Sequence, residues 1–226
     1  MMKLSMIAVI CLAALTSFSS WSTTILDAPP ESVSTSDKFV FYAHGYIVEG
    51  KDPKPINTKN GWGVYDFPAI KQALSDKSYT LIAHHREKNT DPFAYAYELN
   101  KQVRSLVEKG VSARNITLIG FSRGSFISAI ASDKLSDLEI NTVILAGCGG
   151  LTASKHTDIK VFGHVLSVYE QSDEAQSCAA LHKRSTQTRS FNEIVINTGL
   201  EHGAFYKPMN EWVTPVKAWV KAHMGR

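Results

Sequence analysis

Short apolar runs of strand type alternate with helical patterns along most of this 226-residue chain. The strand runs are FVFYA (39–43), YTLIAH (79–84), ITLIG (116–120), TVILAG (142–147), GHVLSVY (163–169) and EIVINT (193–198). Most are continuously apolar rather than alternating, which is the pattern of central parallel strands covered on both faces. Helical stretches lie at 68–76, 92–110, 123–135, 173–183 and 210–223. In the second of these, Tyr95, Leu99, Gln102, Val103, Leu106 and Val107 fall on one mostly apolar stripe. The spacing predicts a three-layer, doubly wound α/β sandwich around a mostly parallel sheet of about six strands. In such sheets ligand sites lie beyond the carboxyl ends of the strands.

The first 22 residues follow a different pattern: Lys3, then the uncharged apolar core LSMIAVICLAALT, then SSWS with small residues before Thr23. This is the layout of a secretory signal peptide and implies an exported protein, periplasmic or secreted, with an uncleaved anchor as the alternative. Ile10 precedes Cys11 where lipoprotein signals carry a small residue, so lipidation is not expected. Residues 23–37, rich in Ser, Thr and Pro, read as an extended N-terminal segment, and 38–226 as a single domain. Removing the leader takes away Lys3 and no acid, so the formal charge falls from +3 to +2. Such a balance argues against nucleic acid or an anionic membrane surface as partner, and a small-molecule substrate fits better. Nothing in the sequence signals an oligomeric state.

Export leaves Cys148 and Cys178, and in an oxidising compartment an even count favours a disulfide over two free thiols. The sequence has no C-x-x-C or H-E-x-x-H spacing, and adjacent His84 and His85 would face opposite sides of a strand. Neither a metal nor a cofactor is expected.

GFSRG at 120–124 joins an apolar strand to an apolar helix. Glycines on both sides let the chain turn sharply, leaving Ser122 strained with its hydroxyl projecting at the sheet top. The helix that follows offers its N-terminal field and the free amide of Arg123 to a developing oxyanion. The alternative is a polar residue in a tight turn.

A serine hydroxyl needs a base, and the base needs an orienting acid. Asp173, after HVLSVY and the turn EQS, is the favoured acid, with Glu170 and Glu174 as competitors and a helix N-cap as its structural alternative. His202, between Gly199 and Gly203 beyond the last strand run, occupies the loop a base requires. At the end of the first run, Gly45 lets the backbone approach a substrate while the amide of Tyr46 supplies a second oxyanion donor. His44 reads as a hydrogen-bonded scaffold residue rather than a base.

With AHGY, GFSRG, YEQSDE and GLEHG in this order, the chain resembles the α/β-hydrolase superfamily over essentially all of its length after the leader. IVEG through GVYDFPAI also looks like small exported bacterial hydrolases of that superfamily. The resemblance implies a minimal α/β-hydrolase fold with Ser122 as nucleophile, Asp173 as orienting acid and His202 as base. It also implies an oxyanion hole made by the amides of Tyr46 and Arg123. Two departures stand out: the opening antiparallel hairpin of larger members is missing, and only about fifteen residues, CGGLTASKHTDIKVF, stand where they carry a cap. The implied core is uncapped, with the loop from Ile47 to Phe67, carrying Trp62, Tyr65 and Phe67, as a partial roof or as further core. On the same map a Cys148–Cys178 bridge would pin the loop carrying Asp173.

The expected activity is cleavage of a small carboxylic ester through an acyl-enzyme. Thioester or amide hydrolysis by the same triad, or an inactive exported binding module of the same fold, are the alternatives. A third reading, an α/β binding protein for phosphorylated ligands using the glycine turn, lacks the G-x-x-x-x-G-K and G-x-G-x-x-G spacings and ranks last.

Overall fold

The computed structural model describes residues 23–149, 152 and 155–225. The leader expected at 1–22 lies outside the described residues. The strands of the main sheet are β1 (Thr24–Leu26), β2 (Phe39–Ala43), β5 (Thr80–Ile82), β6 (Ile116–Phe121), β7 (Asn141–Leu145), β8 (Gly163–Glu170) and β9 (Thr188–Ile196). They run in the order β1-β5-β2-β6-β7-β8-β9. Every neighbouring pair is parallel. A separate antiparallel pair, β3 (Ile56–Asn57) with β4 (Gly63–Val64), projects from the loop after β2.

The sheet thus has seven strands rather than about six. The extra strand is β1, inside the segment read as a lead-in, and its Thr24, Ile25 and Leu26 pair with Thr80, Leu81 and Ile82. A three-residue edge strand is covered on one side only, so it needs no long apolar run and hides in a Ser- and Pro-rich stretch.

The helices are α1 (Phe67–Leu74), α2 (Pro92–Glu108), α3 (Arg123–Lys134), α4 (Ala179–Arg184) and α5 (Asn210–His223). Asp66 and Asp91 cap α1 and α2 by accepting from the amides of Ala69 and Ala94, with Pro68 and Pro92 in the first turns. Two cores result. Ile70 and Leu74 of α1 and Trp212, Val216 and Val220 of α5 pack on Val40, Tyr42, Leu81 and Ile119. Leu99, Val103 and Leu106 of α2 and Ile127 and Ile130 of α3 pack on Phe39, Phe41, Ile82 and Leu118. Alternate residues of one strand feed opposite cores, which explains why the strand runs are apolar throughout. Each such side chain contributes about 1.5–3 kcal/mol when fully buried.

The chain leaves β2 for β5 on one side and returns to β6 on the other, so the order of winding reverses between β2 and β6. A crevice opens at the carboxyl ends of strands at such a reversal. The end of β2 carries Gly45 and Tyr46, and the end of β6 carries Ser122.

Candidate active site

A cavity of about 670 Å³ occupies that crevice, and Gly45, Tyr46, Ser122, Asp173 and His202 all line it. Of the sequence-expected residues, these converge on one space from four strand ends, while Arg123 follows Ser122 directly and is not itself in the lining.

Ser122 has φ 54° and ψ −115°, a positive-φ conformation that costs an L-residue energy and persists only where its surroundings impose it. They do so by close packing. A Cβ on Gly124 would lie 1.8 Å from the Ala43 carbonyl oxygen, and one on Gly120 would lie 2.2 Å from that of Gly124. The Ser122 amide donates to Leu145 O at 2.9 Å. Ser125 Oγ shares its one proton between Gly120 O at 2.6 Å and Leu145 O at 2.8 Å and accepts from the Leu145 amide at 3.1 Å, stapling the turn to β7.

His202 Nδ1 lies 2.7 Å from Asp173 Oδ2. Asp173 is buried, and its other oxygen accepts from the Ala175 amide at 3.0 Å. It caps no helix, because α4 starts only at Ala179. The expected helix over 173–183 is shortened by a turn in which Gln176 takes φ 47°. Of the competing acids, Glu174 lines the cavity, whereas Glu170 is buried and engaged elsewhere. Glu170 accepts from the amides of Ser172 at 2.6 Å, Thr198 at 2.8 Å and Gly199 at 3.0 Å. Burial pushes its carboxyl up, but hydrogen bonds from Ser172, Thr198 and Gly199 outweigh burial and hold it below the usual range. Glu170 therefore ties the acid turn to the histidine loop.

The His202 ring packs between Phe121 and Trp62, with centroids 4.8 and 5.2 Å away. Among the described residues no hydrogen bond joins the Ser122 hydroxyl to this ring, although both line one cavity. Such contacts commonly tighten only once substrate is bound.

Tyr46 opens a single 3-10 turn, Tyr46–Val48, and Arg123 opens α3, so neither amide has an acceptor within its own helix. A Cβ on Gly45 would meet the Phe121 ring at 3.0 Å and Ser122 Cβ at 3.8 Å, which places the two turns side by side. His44 is fully buried, accepting at Nε2 from the Arg86 amide at 2.9 Å, with Nδ1 2.8 Å from Gly45 O. Because Nε2 accepts, the proton sits on Nδ1 and is donated to Gly45 O. Burial, and next the charge of Arg86, push this imidazole well below its ordinary pKa, so it stays neutral. In a planar trans peptide the N–H points away from the C=O, so fixing Gly45 O on His44 aims the Tyr46 N–H the other way. His44 is a scaffold residue, as the sequence suggests.

Over the site lies the β3–β4 hairpin. Trp62 lines the cavity as roof and donates from its indole to Glu201 Oε2 at 2.9 Å. Tyr65 and Phe67 are fully buried core instead. Sequence reasoning missed Arg86 and Glu49, a buried pair beside His44 with Nε to Oε1 at 3.4 Å. Their only signal is position: each follows directly on a strand-end turn, in HHRE and YIVEG.

Cys148 and Cys178 form a disulfide. It holds the end of β7 against the segment after the acid turn, where a Cβ on Gly149 would come within 2.4 Å of Glu174 O. Among the described residues no group of three or more His, Cys, Asp or Glu converges as metal ligands, and no helix is long and apolar enough to cross a membrane.

Solved structures with the same fold include an esterase/lipase from an uncultured bacterium, 12% identical with TM-score 0.58, covering 83% of this chain and 77% of that one. Esterase PE8 is 15% identical with TM-score 0.53, covering 87% and 99%. SOBER1 of Arabidopsis thaliana is 14% identical with TM-score 0.50, covering 83% and 99%. No curated protein sequence matches. The sequence profile of a family described as alpha/beta hydrolase matches residues 61–183, more than half of the chain, spanning β4 to α4 with the GFSRG turn. The chain belongs to this alpha/beta hydrolase family.

Proposed function

We propose that the protein is a serine hydrolase that cleaves small carboxylic esters through an acyl-enzyme. The observation that carries this reading is the Asp173–His202 pair at 2.7 Å in the cavity that also holds Ser122 on its strained turn. With Nδ1 tied to Asp173, His202 has Nε2 free to take the Ser122 proton. The serine oxygen then bonds to the ester carbonyl carbon, and the carbonyl oxygen becomes an oxyanion between the amides of Tyr46 and Arg123. Collapse of this adduct breaks the ester bond, and Nε2 returns the proton to the departing alcohol. Water repeats the sequence and releases the acid. Beyond substrate and water, these steps use only the chain's own residues.

Family membership and a fold shared with esterases support the hydrolase class. We also read the protein as exported, which the Cys148–Cys178 disulfide supports because such bonds persist in oxidising compartments. The test is turnover of p-nitrophenyl butyrate together with labelling by a fluorophosphonate. Wild type should do both, and Ser122→Ala should do neither. A Ser122→Ala protein that kept full esterase activity would overturn the assignment.

A further inference from the structure

The side chain of Arg123 lies outside the chemistry above, yet it reaches back across the crevice. Its Nη2 donates to Thr90 O at 2.7 Å, its Nε lies 3.3 Å from Glu49 Oε1, and its guanidinium carbon stands 4.9 Å from the centroid of the Tyr46 ring. We propose that the Arg123 side chain, paired with Glu49, is the positioning group that holds the two amide donors of the oxyanion hole in register. The inference rests on the serine-hydrolase reading of the same site.

The two donors belong to different strand ends: Tyr46 follows β2 and Arg123 follows β6. Backbone packing of Gly45 on Phe121 and of Gly124 on Ala43 brings the two turns together, and Glu49 is a side-chain crossing between them. It ends the Tyr46–Val48 turn, donating its own amide to Tyr46 O at 3.0 Å, and its side chain is only 1% exposed. One carboxylate oxygen, Oε1, is shared by Arg123 Nε at 3.3 Å and Arg86 Nε at 3.4 Å. Arg86 in turn donates from its guanidinium to His44 O and from its amide to His44 Nε2, while Gly50 N donates to Arg86 O at 2.9 Å. One buried carboxylate therefore joins the oxyanion loop, the nucleophile turn and the segment after β5.

The charge arrangement favours the same role. Two guanidiniums face a single carboxylate, which leaves the cluster beside the Tyr46 turn with a net positive charge. A lysine at 123 would keep the charge, but a single ammonium cannot reproduce the planar guanidinium that contacts Thr90 O, Glu49 and the Tyr46 ring together. The Arg123 side chain is 26% exposed, so its removal opens no deep core cavity.

The experiment measures kcat and KM on p-nitrophenyl butyrate, the Ki of an alkyl trifluoromethyl ketone that forms a tetrahedral adduct, and Tm. It compares wild type, Arg123→Gln, Arg123→Lys, Glu49→Gln and the Glu49→Gln/Arg123→Gln double variant. Misplacing a donor should lower kcat by about 10–100-fold in Arg123→Gln, somewhat less than outright loss of a donor. KM should stay within about twofold, since the hole acts in the transition state rather than the ground state. Ki for the ketone should rise by the same factor as kcat/KM falls, Arg123→Lys should recover part of the loss, and the double variant should be no worse than the poorer single one. A folded Arg123→Gln with kcat within about twofold of wild type would overturn the proposal, as would a loss carried by KM with Ki unmoved. Should Arg123→Gln fail to fold, Arg123→Lys and Glu49→Gln give the same readouts, and wild-type kcat in both would overturn it equally. An inert wild type that does not label at Ser122 would overturn the serine-hydrolase reading and this one with it. An active wild type with indifferent variants would overturn this one alone.

Discussion

Single residues at this site are held by backbone geometry first and by side-chain partners second. The 1.8 Å approach that a Cβ on Gly124 would make to Ala43 O is to backbone, so nothing nearby can rotate away. Gly124→Ala should lower stability by about 3 kcal/mol or more, seen as a large fall in Tm or as loss of soluble protein. Asp173→Asn should behave oppositely. Its neighbours tolerate the shape, but the amide no longer stabilises the imidazolium or fixes the tautomer, so kcat should fall by roughly 10⁴-fold with Tm little changed. The convergence of Ser122, Asp173 and His202 on one cavity was legible because each stands beside a glycine or a turn at a strand end, where backbone chemistry shows in the sequence. Arg86 and Glu49 were not legible. Charged residues in loops are ordinarily solvated, and burial of this pair comes from two distant loops meeting, which no local pattern records.

Between elements, a few cross-links decide how the loops bearing the site are held. The disulfide closes a sequence separation of 30 residues from the end of β7 to the start of α4. On loop-closure grounds it contributes roughly 3–4 kcal/mol. Replacing both cysteines by serine should lower Tm by about 10 °C. It should also lower kcat, because Gly149 packs against Glu174 and Ala175 directly after Asp173. Full activity in that variant would mean that the turn bearing Asp173 is held without the bridge, by contacts such as those of Glu170 and Glu193.

On the opposite face, Asp76 anchors α5 to the turn after α1, with Lys221 at 2.6 Å and Lys217 at 3.5 Å. Burial pushes the Asp76 carboxyl up, but Lys221 and the Ser78 amide and hydroxyl bring it down to about 2. A folded pKa below the ordinary ~3.9 means the contribution is complete above about pH 4 and is lost as pH falls through the folded value. Asp76→Asn should therefore lower Tm by about 2–4 °C at neutral pH, and the two melting curves should converge towards about pH 2.

At this scale the sequence pattern located α2, α3 and α5 well and misjudged β9 and α4. The first five residues of β9, Thr188–Asn192, are partly or fully exposed on an edge strand, so TRSFN lacks the apolar run that marks β6 or β7. The expected helix at 173 gave way to a turn because the Asp173 carboxylate is spent on His202 and on the Ala175 amide rather than on a helix end.

Across the whole molecule, one reversal of strand order gathers loops from four strands over a single crevice, and the roof above it is small. Among the described residues only the β3–β4 hairpin, with Asn57 and Trp62, closes over His202, and no helix lies between β7 and β8. The walls are mixed: Trp62, Phe121 and Tyr206 are aromatic, but Asn57, Ser172, Glu174 and Glu201 present polar groups to the same cavity of about 670 Å³. Each methylene of an acyl chain gains about 0.8 kcal/mol only where it meets apolar surface. The first few carbons can lie against the aromatics, whereas a long chain must extend over carboxylates or into water and gains nothing. In a series of p-nitrophenyl esters, kcat/KM should rise from acetate to butyrate or hexanoate and then fall steadily to palmitate. A rise continuing to palmitate would show that the substrate chain leaves the crevice along an apolar path that these polar walls do not border.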